Sequence, residues 1–231
     1  MHIPDGFINA PTSLAAGAVA AGGVGVSLRR AAQTLQERQA PLAGLVAAYI
    51  FAVQMLNFPV AAGTSGHLLG GVLAAVLVGP WAGCVCVAVV LVVQSLLFAD
   101  GGLTALGLNI TNMAVVGVFG GWAVFHLLRR VLPATRTSVV AASGIAAGVS
   151  VALAASAFGV EYALGGTGGA PVSTVLAAMV GVHTLIGIGE GVITALTVGV
   201  VLGVRPDLVF GAADIQAPLS VRPEPAPEEV R

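Results

Sequence analysis

Apolar residues run through this chain in long blocks that polar residues interrupt at only a few places. A short lead, residues 1–9, carries the breakers Pro4, Asp5 and Gly6. The blocks that follow predict helices at about 10–28, 41–58, 67–78, 81–98, 109–128, 138–158 and 172–204. Most of these blocks are long enough to cross the hydrocarbon of a bilayer. The pattern therefore predicts an all-α polytopic membrane protein with about seven transmembrane helices, spanning residues 1–205. From Pro206 the chain turns rich in Pro and Glu, so 206–231 is expected to be a disordered tail.

Composition agrees with the pattern. The 231 residues are 57% hydrophobic and 8% charged, against about 25% charged in soluble domains. A net charge of −1 and the lack of a basic stripe exclude a nucleic-acid surface. Every basic residue is Arg. With seven crossings, Arg29, Arg30, Arg38, Arg129, Arg130, Arg136 and Arg205 share one face, which the positive-inside rule makes cytoplasmic. The N-terminus then lies outside and the C-terminus inside the cell membrane. The outer segments, 1–9, 59–67, 99–108 and 159–171, hold no Arg but do hold Asp5, Asp100, Glu161, His2 and His67. Glycines four apart, as at Gly144/Gly148 and Gly187/Gly191, let helix backbones approach closely. Cys84 and Cys86, two apart, point to different sides of a helix and read as packing residues.

Candidate chemistry begins at Met1-His2. The Met1 amine, the His2 amide and the His2 ring can close on one ion as two fused rings, a flat nitrogen set suited to Ni(II) or Cu(II). No Arg or Lys precedes Arg29, so the start does not read as a cleavable leader and the amine is expected to persist. His67, between Gly66 and Gly70 on the same face, supplies a fourth nitrogen. Glu190 and His183 are ionisable groups at membrane depth and are candidates for supporting or coupling roles. The amides Gln54, Asn57, Asn109 and Asn112 read more simply as bonds between helices. No Gly-rich Lys-Ser/Thr loop occurs, so this chain is expected to bind no nucleotide.

Three stretches in order, Met1-His2-Ile3-Pro4-Asp5-Gly6-Phe7, Asn57-Phe58-Pro59-Val60 leading to Gly66-His67, and His183 through Thr194, resemble the CbiM/NikM family. These are the cobalt/nickel substrate-capture components of energy-coupling-factor transporters. The resemblance covers 1–205. It implies seven helices with the N-terminus tucked into the bundle from outside. It also implies an ion held by the Met1 amine, the His2 amide and ring, and His67. Its implied partners are a transmembrane coupling subunit, two cytoplasmic ABC-type ATPases and a small auxiliary membrane subunit. The expected role is thus the substrate-binding subunit of an ATP-driven nickel/cobalt uptake transporter and not an enzyme. A flat nitrogen field leans to nickel, and the sequence leaves cobalt open. The competing readings are a secondary carrier or channel without ATPases and an intramembrane metalloenzyme. Neither an internal repeat nor a His-Glu-x-x-His motif supports them.

Overall fold

In the computed structural model, which describes residues 1–35, 39–59 and 65–216, the apolar blocks become seven helices. These are α1 Ala10–Thr34, α2 Ala40–Gln54, α3 Gly71–Val78, α4 Pro80–Leu97, α5 Leu106–Val131, α6 Arg136–Gly165 and α7 Val172–Val204. A two-residue antiparallel ladder pairs Phe58 with Gly66 and Pro59 with Ser65. Five helices, α1 and α4 to α7, are long and apolar enough to cross a membrane. The other two have 15 and 8 residues, short of the roughly 20 that a straight span needs.

Local chemistry explains the boundaries. The Asn9 side chain accepts from Thr12 N at 3.0 Å and caps α1, with Pro11 in the first turn. Thr135 caps α6 in the same way through Ser138 N. Gly79, at φ +88°, separates α3 from α4, and Pro80 opens the latter. All eight residues of α3 are buried, as expected of a helix that is apolar all round. The middle of α5, Thr111–Gly120, winds as a π-helix.

Helices α6 and α7 pack backbone to backbone. A Cβ added at Gly187 would stand 2.7 Å from Gly148 O, and one at Gly191 would stand 2.8 Å from Gly144 O. The small-residue spacing at these positions is therefore filled inside the protein. One end of the bundle gathers the lead and the loops at 99–105 and 166–171. The described arginines lie at the other end: Arg29 and Arg30 in the last two turns of α1, Arg129 and Arg130 closing α5, Arg136 opening α6, Arg205 after α7. Arg38 lies outside the described residues.

Three expectations change. Glu161, expected in an outer loop, is buried inside α6, where its Oε2 accepts from Asn112 Nδ2 at 2.7 Å. That partner lets the helix continue to Gly165. The third helix starts at Gly71 and not at His67, because Gly70 adopts φ +73°, a left-handed conformation that breaks the helix. The segment after Arg205 is folded at least as far as 216. Pro206–Leu208 and Phe210–Ile215 form 3-10 turns, Val209 and Ala212 are buried, and Phe210 lies 5.8 Å from the Trp122 ring. Arg129 ties this segment down through Asp214 Oδ2 at 2.5 Å. Residues 217–231 lie outside the described residues.

The α6–α7 contact yields a prediction with an internal control. Gly187→Leu should lower the melting temperature in detergent, with overpacking costing about 1–3 kcal/mol. Gly181→Leu on the same helix, where an added Cβ meets nothing within 4 Å, should leave the melt unchanged.

Candidate metal centre

The lead enters the bundle as an extended segment. Met1, His2 and Ile3 are only 1%, 4% and 1% exposed. A segment without helix or sheet leaves its main-chain polar groups in need of partners. Asn109 on α5 provides them for Ile3: Ile3 N donates to Asn109 Oδ1 at 2.8 Å, and Asn109 Nδ2 donates to Ile3 O at 3.3 Å. Gly102 N also donates to Ile3 O, at 2.9 Å. Further out, Thr104 donates through its amide and hydroxyl to Asp5 Oδ1 at 2.7 and 2.6 Å. The Thr167 hydroxyl donates to Gly6 O at 2.6 Å. The 99–105 loop fits this closely because it carries glycines: a Cβ on Gly102 would overlap Asp5, and one on Gly101 would reach 3.1 Å from the His2 ring.

A second irregular segment, residues 66–70, lies against the lead. Here both carboxylate oxygens of Glu190 serve as acceptors, from Leu69 N at 2.5 Å and Gly70 N at 2.9 Å. Gln54 Nε2 donates to Leu69 O at 2.7 Å. Three side chains from α2, α5 and α7 thus hold the main chain just after each of the two histidines. His67 is fully buried, and its Nδ1 lies 2.8 Å from Leu68 O. A carbonyl only accepts, so Nδ1 carries the proton and Nε2 keeps a free lone pair. His67 Nε2 has no hydrogen-bond partner among the described residues.

The two segments meet ring to ring. His2 and His67 stack with centroids 4.4 Å apart and planes at 28°. Burial drives the Met1 amine well below the pKa of an ordinary terminus, against the pull of the Asp100 and Glu190 carboxylates. Burial also lowers His2, with Asp100 opposing. His2 Nδ1 lies 2.9 Å from Asp100 Oδ1, close enough to pair but with the ring N–H aimed off the oxygen. Desolvation raises the Asp100 carboxyl, but its contacts with His2, Asn57 and the Met1 amine outweigh that and leave it below the usual range. His183, buried on α7, donates from Nδ1 to Met179 O at 2.8 Å, and its Nε2 is unpartnered among the described residues.

The structure therefore brings Met1, His2 and His67 to one place, with Glu190 directly behind them. Among the described residues, no three His, Cys, Asp or Glu side chains form a metal-holding group. Sequence reasoning undervalued Gln54 and Asn109, whose partners are backbone groups. The available signal was that an amide buried at membrane depth has to find a partner. Glu190→Gln keeps one acceptor oxygen and turns an NH2 toward an N–H. It should speed amide exchange at Leu69 or Gly70 by about tenfold or more, the expected loss of a buried hydrogen bond to a charged group, measured by hydrogen–deuterium exchange.

Comparison with known proteins follows the same lines. The family described as "Cobalt uptake substrate-specific transmembrane region" matches residues 2–208. The fused nickel transport protein NikMN of Rhodobacter capsulatus is 37% identical over 221 residues, which cover 90% of this chain and 64% of that protein. The cobalt transport protein CbiM of Sorangium cellulosum is 36% identical over 175 residues, or 73% of this chain and 76% of that one. A crystal structure of a transition metal transporter superposes with a TM-score of 0.82 at 30% identity, covering 88% of this chain and 93% of the other.

Proposed function

Because the chain belongs to the CbiM family of cobalt uptake substrate-specific transmembrane regions, we propose that it is the capture subunit of an ATP-driven nickel/cobalt uptake transporter. It is a membrane transport protein for these ions and not an enzyme. The observation that carries the finer reading is the buried Met1 amine lying with His2 and His67, two stacked imidazoles, at one end of the bundle. The substrate ion is held by the Met1 amine, the His2 amide nitrogen, His2 Nδ1 and His67 Nε2. The free lone pair on His67 Nε2 and the desolvated amine favour this set. Ion binding requires donors without protons, and burial already disfavours protonation of the amine and of His2. Four nitrogens in a plane favour nickel, and cobalt competes for the same set.

The site end faces outside and the arginine end the cytoplasm, in keeping with the positive-inside rule. The short helices α2 and α3, extended by the irregular segment at 66–70, complete seven crossings. The chain sits in the cell membrane beside a transmembrane coupling subunit, two cytoplasmic ABC-type ATPases and a small auxiliary membrane subunit. Energy enters through those ATPases, since this sequence has no nucleotide-binding loop.

One residue added before Met1 turns the terminal amine into an amide and puts extra chain where only 1% of Met1 is exposed. Nickel and cobalt binding, measured by calorimetry on purified protein, should be abolished; full binding by the extended protein would overturn the chelate. His67→Ala should weaken nickel binding by about 100-fold or more while the melt stays cooperative, the scale expected on losing one strong ligand. In cells, metal uptake should require the ATPase partners, and uptake by this chain alone would favour a secondary carrier.

A further inference from the structure

We propose that Asp100 is a transfer ligand: an incoming divalent cation binds its carboxylate first and passes from there to the nitrogens. The inference rests on the capture reading above and adds the route by which the ion arrives. A cavity of about 440 Å3 opens beside the lead and is lined by His2, Asp5, Ser95 and Asp100, among others. The Asp100 side chain is 18% exposed, while His2 behind it is 4% exposed. The carboxylate thus stands between water and a buried ring whose Nε2 has no partner among the described residues.

The geometry singles out Asp100 over Asp5. Asp5 Oδ1 is committed to the Thr104 amide and hydroxyl, which clamp the lead. Asp100 is held from behind: its Oδ2 accepts from Asn57 Nδ2 at 3.2 Å, and its own amide donates to Gln94 O at 3.1 Å. Ala99, the only non-glycine residue with positive φ (51°) among the described residues, sets the turn that presents it. That leaves Oδ1 facing His2 Nδ1 at 2.9 Å.

Nδ1 is the ring nitrogen that closes a six-membered ring with the His2 amide nitrogen. An ion therefore reaches it through the space that Asp100 Oδ1 borders. The exchange is one for one. Oδ1 gives up Nδ1 and takes the place of one water on the cation. The cation then moves onto Nδ1 as the single ring proton shifts by way of water to the unpartnered Nε2, the His2 amide proton leaves to outside water as that nitrogen binds, and Oδ1 is released. Carboxylate oxygen suits a hydrated cation, whereas the nitrogens suit the final site. A ligand used only in transit speeds arrival and departure alike and leaves the equilibrium nearly untouched.

Stopped-flow mixing of the full-length protein in detergent with NiCl2 tests this, alongside calorimetry. Asp100→Asn should slow association and dissociation together by about tenfold or more, equivalent to at least about 1.4 kcal/mol on the barrier. The Kd should stay within about threefold of the unsubstituted protein, and Asp100→Glu should restore most of the rate. Unchanged or faster association in Asp100→Asn would overturn the proposal and leave Asp100 as a restraint on His2. A weaker Kd with unchanged dissociation would also overturn it, since that is simple charge attraction. Failure of the unsubstituted protein to bind nickel at all would remove the capture reading itself, a result distinct from either.

Discussion

Main chain that is neither helix nor sheet cannot lie inside a membrane bundle unless something answers its N–H and C=O groups. Two segments here break that rule in the same place, and each break is repaired by a few polar side chains. Asn109 answers both main-chain groups of Ile3. Glu190 and Gln54 answer both of Leu69, and Glu190 answers Gly70 as well. The neighbouring residues, His2 and His67, are thereby fixed in contact without being on helices themselves. The polar residues buried at depth are in large part what irregular backbone requires.

The same repair fixes the electrical setting. Placing the Met1 amine and two imidazoles out of water disfavours charge on each of them. The carboxylates that offset this arrive from two directions, Asp100 from a loop near the surface and Glu190 from α7. One is partly exposed and the other fully buried.

The hydrophobic pattern was sufficient for the helices, because apolar length and the breakers Pro80, Pro171 and Arg205 act locally. It failed where a residue's state depends on a distant partner. Glu161 read as a loop acid because its charge suggested water, but Asn112 meets it inside the bundle. His67 read as helical because Leu68, Leu69 and Val72 continue the apolar run, and the left-handed Gly70 overrides them. Asn109 and Ile3 are 106 positions apart, and no local periodicity reports such a pair. The dipeptide Met1-His2 and the glycine-flanked His67 were visible as chemistry. Their ring-to-ring stacking was not, because it depends on the supports behind each segment.

The short helix α3 has its two ends in unlike company. Its N-terminal end begins at the amides gripped by Glu190, just after His67. Its C-terminal end stops at Gly79, where an added Cβ would stand 3.4 Å from the Phe210 ring in the segment that follows α7. Eight residues of helix make a rod about 12 Å long, packed on all sides and therefore stiff. This one short helix therefore joins the segment that carries His67 to the segment that follows α7 at the arginine end of the bundle.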